Sequence, residues 1–238
     1  MAEERIILAI FDFDGTLTVG HLWSGIYQHH RQHKIKTLSL YVYLITHLPF
    51  WVAAKTGFYS EEKNRSKWGA DLSGLFKNFT TEQAHQAFVW VAENYFQPLM
   101  RKDIIRKLEE HKIQGYKIML LSGMFKEFLE VMGEKLGADY VVGTNLEVVN
   151  HVYSGHIIPP LCFGENKARL LDEFIRNQKL SVDYSRSFAY ADSIYDVPVL
   201  RMVGNPAATY PDKQLYEFAS SAHWLIIRKT ETSDNLGD

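Results

Sequence analysis

The feature that most constrains this chain is a short apolar run, Ile6 to Phe11, that ends in Asp12-Phe13-Asp14-Gly15. A run of that length closed by an Asp-Gly turn predicts a strand buried on both faces, as in a parallel sheet. The two aspartates then fall at the strand's C-terminal end. Apolar residues ask for burial, whereas two like charges at such spacing repel and resist leaving water, so something cationic is expected between them.

From His21 to about Pro98 the pattern changes to long, aromatic-rich helical stretches punctuated by Gly57, Gly69 and Gly74. After Pro98 an α/β rhythm returns. It predicts a helix at Lys102 to His111, a strand at Tyr116 to Leu121, a helix at Lys126 to Leu136 closed by Gly137, and a strand at Tyr140 to Val142. "LEVVNHVYSGHII" reads as a hairpin turning near Val149 to His151, "GENKARLLDEFIRNQ" as a helix and "SFAYA" as a buried strand. "YDVPVLRMV" reads as a short helix interrupted early by Pro198. Strands alternating with such helices imply an α/β fold with a doubly wound, mostly parallel sheet. The expected division is a core made of residues 1–19 and 99–238, with residues 20–98 inserted as a helical cap domain. The polar tail "KTETSDNLGD" is expected to fray.

In an open α/β sheet, ligands gather outside the carboxyl ends of the strands. Asp12 and Asp14 follow the first strand, Ser122 and Gly123 follow "YKIMLL", Asp192 and Asp196 follow "SFAYA", and Lys167 opens the helix after "CFGEN". Carboxylates converging on one crevice repel strongly, and a hard divalent cation relieves that repulsion. Magnesium fits a set of carboxylate oxygens, a backbone carbonyl and a substrate phosphate, whereas zinc usually recruits histidine or cysteine.

A cation, a lysine and a serine-glycine loop facing one point favour a phosphoryl group. The Asp12 carboxylate is then the nucleophile, giving an aspartyl-phosphate, and Asp14 the acid/base. Ser122, Gly123 and Lys167 hold phosphoryl oxygens, with Ser122 and Gly123 at the start of the following helix. Asp192 reads as a second metal-binding carboxylate and Asp196 as a supporting group that orients Lys167 or binds the metal through water.

At these residues the sequence resembles the haloacid dehalogenase superfamily of phosphohydrolases. "DFDGTLT", "LLSGM", "GENKARLL" and "YADSIYDVPVL" match its four motifs in order. The helical insert resembles the cap of the phosphoserine-phosphatase-like branch, subfamily IB. The resemblance implies a Rossmann-like core and a magnesium ion held by Asp12, the Asp14 carbonyl and Asp192. It also implies Ser122 and Lys167 as phosphate ligands and Asp196 as an outer carboxylate. Phosphoserine phosphatases usually carry an acidic residue where this chain has His21 and an Asn where it has Tyr195, which argues against phosphoserine as substrate. Arg65 stands near the place of a cap arginine that grips a substrate carboxylate, but its local match favours a solvated side chain.

The expected function is therefore a cytoplasmic, magnesium-dependent phosphomonoester hydrolase acting on a small organic phosphate chosen by the cap. The alternatives are phosphotransfer to another acceptor on the same scaffold and a non-catalytic phosphate-binding regulatory module. A net charge of -2 over 238 residues gives no basic field for a nucleic-acid partner. The oligomeric state is left open. The one cysteine, Cys162, excludes an intramolecular disulfide and reads as a small buried hydrophobe. The start "MAEERIILAIFDFD" lacks the features of a signal peptide.

Three further stretches carry expectations. Between Lys36 and Lys55 lies "TLSLYVYLITHLPFWVAA". It reads as a buried cap helix broken near Pro49, with a helix lying on a membrane surface through residues 37–54 as the alternative. His29, His30 and His33 in "HHRQHK" read as a hydrated basic face, with a metal site as the alternative. Trp23, Tyr41, Trp51, Trp68 and Phe79 read as the cap's own core, with a lipid or aryl phosphate substrate as the alternative.

Overall fold

The computed structural model describes residues 5–228, so the tail expected to fray lies outside the described residues. The first strand, β1 (Leu8–Phe11), is buried along its whole length. Four helices follow, α1 (Leu22–Gln32), α2 (Thr37–Lys55), α3 (Glu61–Asp71) and α4 (Thr81–Val91). Then come α5 (Lys102–Ile113), β2 (Lys117–Phe125), α6 (Lys126–Leu136) and β3 (Tyr140–Thr144). A hairpin of β4 (Leu146–Val149) and β5 (Val152–Ile157) leads to α7 (Glu165–Asn177). The chain continues through β6 (Phe188–Ala191), α8 (Val197–Leu200), β7 (Asn205–Thr209), α9 (Lys213–Ser221) and β8 (Leu225–Ile227).

Six strands form one parallel sheet in the order β3-β2-β1-β6-β7-β8. The chain winds outward from β1 to β3 on one side and from β6 to β8 on the other. The order therefore reverses between the adjacent strands β1 and β6, which is where a crevice opens at the carboxyl ends. Alternation along β1 serves both faces. Ala9 and Phe11 pack with Ile104 and Leu108 of α5 and Phe128 and Leu129 of α6. Leu8 and Ile10 pack with Leu171 and Ile175 of α7, Leu200 of α8 and Leu215 of α9. Burying each of these large side chains stabilises the fold by roughly 1.5–3 kcal/mol.

The helices between β1 and α5 join the first of these cores through an aromatic seam. Phe13 lies edge-on to Phe96 and Phe128, with ring centroids 5.5 and 5.8 Å away, and Phe76 of the insert lies 6.0 Å from Phe125 at the end of β2. Local caps set the element ends. The Ser60 hydroxyl accepts from the Lys63 N–H to start α3, Thr80 and Gln83 form a reciprocal capping box at α4, and Gly137 ends α6 at a φ of 64°.

Several expectations are corrected here. α2 continues through Pro49. The ring's fixed φ is itself helical, so proline removes one hydrogen bond, and Pro49 lies on the exposed side where water can meet the freed carbonyl. Nor is the helix buried, because only Leu40, Tyr43 and His47 of its side chains are. The basic face "HHRQHK" is only partly hydrated. His29 and His30 are buried, His29 against Trp90 and His30 stacked on Phe79, and burial lowers both imidazoles to about 4. Among the described residues the one cluster whose ligand atoms come close enough together to hold a metal ion is Asp12, Asp192 and Asp196, away from these histidines. Pro198 sits in the first turn of α8, where its missing N–H has no partner to lose, and so opens that helix instead of interrupting it. Among the aromatics expected to form this region's own core, Trp68 and Phe79 pack on the core, whereas Tyr41 and Trp51 are exposed.

Candidate active site

At the carboxyl end of β1 the backbone passes from buried Phe11 to Asp12, whose N–H donates to the Tyr190 carbonyl of neighbouring β6. That bond ties the Asp12 loop to the loop after β6, which carries Asp192. Asp12, Asp192 and Asp196 each offer a carboxylate oxygen within 4.8 Å of the others. Lys167, in the first turn of α7, reaches the same point: its Nζ donates to Asp12 Oδ1 at 2.7 Å and to Asp196 Oδ1 at 2.5 Å. All three side chains of this ion pair network are at least nine-tenths buried.

Three carboxylates gather where one lysine pairs with two of them, Asp12 and Asp196, and the electrostatics follow from that shortage. Burial, helped by Asp196 and Asp14, pushes the Asp12 carboxyl up to about 7 against the pull of Lys167. Burial, helped first by Asp12 and then by Asp196 and Asp14, raises Asp192 well above the ordinary carboxylate value. Burial works against the Lys167 ammonium, but Asp12 and Asp196 outweigh it and hold the amine above its ordinary value. The site is thus short of positive charge by about one divalent cation.

The surroundings fit such an ion. The donors are all oxygens, which suits a hard cation such as magnesium. Gly15 takes a φ of 85°, and a Cβ there would stand 2.2 Å from Asp192 Oδ2, so only glycine lets the Asp12-Asp14 turn approach Asp192 so closely. Thr16 Oγ1 donates to Asp192 Oδ1 at 3.4 Å. Asp14 points another way, and its Oδ1 lies 2.7 Å from His21 Nδ1. The Asp14 hydrogen bond, against the effect of burial, raises the His21 imidazole.

Asp12, Asp14, His21, Lys167, Asp192 and Asp196 line a cavity of about 450 Å³ together with Ser122 and Gly123. Ser122 is buried. The expected position of Ser122 and Gly123 at a helix start is corrected: β2 runs on to Phe125, with an irregular register after Leu121, and α6 begins at Lys126. The Thr144 hydroxyl donates to the Gly123 carbonyl at 2.9 Å, which holds this irregular stretch against β3. Cys162 is fully buried and burial pushes its thiol up to about 12, so it behaves as a small hydrophobe.

The far wall of the cavity comes from the helical insert. Trp51, Ala54 and Lys55 of α2 and Asn64, Arg65 and Trp68 of α3 line it. Arg65 is therefore not merely a solvated arginine: it borders the cavity, pairs with Glu61 at 3.4 Å and stands 5.7 Å from the Tyr195 ring. Asn64 Oδ1 and Trp68 Nε1 are buried without a hydrogen-bond partner. Sequence reasoning missed Asn64 and read Trp68 first as packing, with contact to a lipid or aryl phosphate as the alternative; the sole signal for Asn64 was its spacing of four from Trp68 on α3.

Residues 9–201 match the family model described as haloacid dehalogenase-like hydrolase. A probable phosphatase of Mycobacterium tuberculosis is 28% identical over 130 residues, covering 55% of this chain and 44% of that protein. The chain spans about half the length of the curated relatives it matches. Among solved structures, a protein of unknown function from Bordetella pertussis Tohama I superposes with a TM-score of 0.78 at 18% identity, over 94% of this chain and 99% of that one. A substrate-bound phosphoserine phosphatase superposes with a TM-score of 0.62 at 20% identity, over 95% of each chain.

Proposed function

Because the chain belongs to the haloacid dehalogenase-like hydrolases, we propose that it is a magnesium-dependent phosphomonoester hydrolase that works through an aspartyl-phosphate on Asp12. The observation that carries this reading is the clustering of the Asp12, Asp192 and Asp196 carboxylates around one buried lysine, paired with Asp12 and Asp196, at the floor of a cavity. Asp12, the Asp14 carbonyl and Asp192 would hold the magnesium. When bound, the ion supplies the positive charge that lets an anionic ester approach anionic carboxylates.

The Asp12 carboxylate attacks phosphorus, a P–O bond to Asp12 forms, and the bond to the ester oxygen breaks. Asp14 gives its proton to the departing oxygen and afterwards takes one from the attacking water, which releases phosphate and restores Asp12. His21, 2.7 Å from Asp14, orients that carboxyl. Ser122, the Gly123 N–H and Lys167 hold the phosphoryl oxygens, and Asp196 keeps Lys167 aimed at Asp12. Residues 20–98 act as a cap domain that selects the substrate, through a wall that includes Asn64, Arg65 and Trp68. The compartment we propose is the cytoplasm.

The test is phosphate release from sugar, amino-acid, nucleotide, aryl and lipid phosphates, with and without magnesium, in the parent and in Asp12→Asn. Metal-dependent release that the substitution abolishes is the expected result. Release that survives Asp12→Asn removes Asp12 as nucleophile.

A further inference from the structure

We propose that α2 lies flat in the surface of an anionic lipid bilayer and feeds the cavity with an amphiphilic phosphomonoester drawn from that bilayer, a substrate class that rests on the phosphohydrolase reading above.

The starting point is a helix that is apolar on both sides. An 18-residue window of α2 has a mean hydropathy of 1.3, yet only 17% of it is buried. Its inner edge, Leu40, Tyr43 and His47, faces the protein. Polar bonds fix that edge: the Tyr43 hydroxyl donates to the Trp68 carbonyl at 2.9 Å, and His47 Nε2 donates to Asp71 Oδ2 at 3.0 Å. Opposite it, Leu38, Tyr41, Val42, Ile45, Leu48 and Val52 follow one another at helical spacing and make a continuous stripe. Leu38 is 76% and Ile45 70% exposed. A helix apolar all round needs a second apolar partner, and a stripe of this size is unusual on a free surface.

The charges select the partner. Residues 15–60 contain no aspartate or glutamate, whereas Arg31, Lys34 and Lys36 precede α2 and Lys55 ends it. Among the described residues, Arg31 and Lys34 enter no ion pair, and Lys55 meets only Glu61 at 3.9 Å. A second copy of the chain would set these cationic ends against one another in either relative direction. An anionic bilayer complements them: the apolar stripe enters the acyl boundary while the lysines reach the lipid phosphates. Because Tyr43 and His47 hold the inner edge to α3, the helix lies along the surface and does not cross it.

The same helix walls the cavity. Trp51, Ala54 and Lys55 line it along with Asp12 and Lys167, and Trp51 is also 46% exposed. A phosphate group resting near Asp12 therefore has an apolar path beside Trp51 out to the stripe. That path suits a phosphomonoester with an acyl chain, whose tail stays in the bilayer while its head enters the cavity.

The experiment uses the full chain with vesicles of phosphatidylcholine, with and without phosphatidylglycerol, and the variant Leu38→Glu/Ile45→Glu, whose two positions touch no catalytic residue. Flotation should show binding to the anionic vesicles at low salt, weakened by salt and reduced about tenfold or more in the variant. The variant should also lose release from an acyl-glycerol phosphate in those vesicles while keeping release from soluble p-nitrophenyl phosphate. Absence of vesicle binding, with soluble phosphate release intact, overturns the inference and leaves the hydrolase standing. A dimer in analytical ultracentrifugation that the same variant dissociates, again without vesicle binding, overturns it in favour of self-association. Vesicle binding with no release from any ester supports the docking surface and overturns the hydrolase reading together with the substrate class.

Discussion

Lys167 donates to Asp12 across 2.7 Å, from α7 to the end of β1, with both side chains almost wholly removed from water. Among the described residues, Lys167 is the one cation that pairs with this cluster of carboxylates. Lys167→Met is expected to destabilise the fold by about 3–5 kcal/mol, because it strands buried negative charge. Lys167→Arg keeps the charge and should recover part of the stability without recovering turnover, since a planar fork cannot replace a point charge between two carboxylates. Denaturant unfolding and kcat/KM for the two variants check this. A Lys167→Met protein as stable as the parent would contradict it.

Gly15→Ala is expected to disturb Asp192 more than any exposed substitution. The new methyl would stand 2.2 Å from the Asp192 carboxylate at a φ of 85° that alanine disfavours. Magnesium affinity, measured by calorimetry, should fall about 10- to 100-fold as the carboxylate is displaced. Unchanged affinity would show that Asp192 does not hold the ion.

Asp14 should control the titration of His21. The hydrogen bond between them raises the folded imidazole above its ordinary value, so the ion pair is fully present below pH 6.5 and fades as pH rises through the raised value. Asp14→Asn should bring the His21 midpoint, followed by NMR, back down. His21→Ala should lower kcat by about tenfold or more, with less effect on KM, because it frees the Asp14 carboxyl to turn away. A midpoint indifferent to Asp14→Asn would remove the pairing in solution.

The buried histidines of α1 set an acid limit on stability. His30 is fully buried and lowered by that burial to about 4, against 6.5 in the unfolded chain. Above pH 6.5 both states are neutral and nothing is gained or lost. Below it the unfolded state takes up a proton that the folded state refuses, so stability falls from pH 6.5 towards 4, by on the order of 2 kcal/mol for this one group. Thermal unfolding across that window should show a shallower decline in His30→Gln, whatever its stability at neutral pH. Equal slopes would contradict the account.

The parallel sheet and the residues gathered at its switch point were legible because the signals were local. An apolar run ending in an Asp-Gly turn fixes both a strand and the place where its carboxylates emerge, and Lys167 is positioned by the helix start that "GENK" announces. The helical insert was harder to read because its signals depend on what lies opposite. Pro49 looks like a break until the helix is seen to carry it on the solvent side. His29 and His30 sit in a polar run, yet the 100° step of α1 turns both towards aromatic neighbours. Asn64 and Trp68 belong to the cavity only because α3 and the end of β1 border the same space, a long-range arrangement that no local pattern encodes.

The central claim is that Asp12 becomes covalently phosphorylated. Its most direct measurement is acid quenching during turnover of a substrate found by the phosphate-release panel, followed by peptide mass spectrometry of the fragment containing Asp12 and Asp14. One added phosphoryl group on Asp12 is expected, labile to mild base and absent from Asp12→Asn. Steady turnover with an unmodified Asp12, or a phosphoryl group retained in the Asp12→Asn protein, would contradict it.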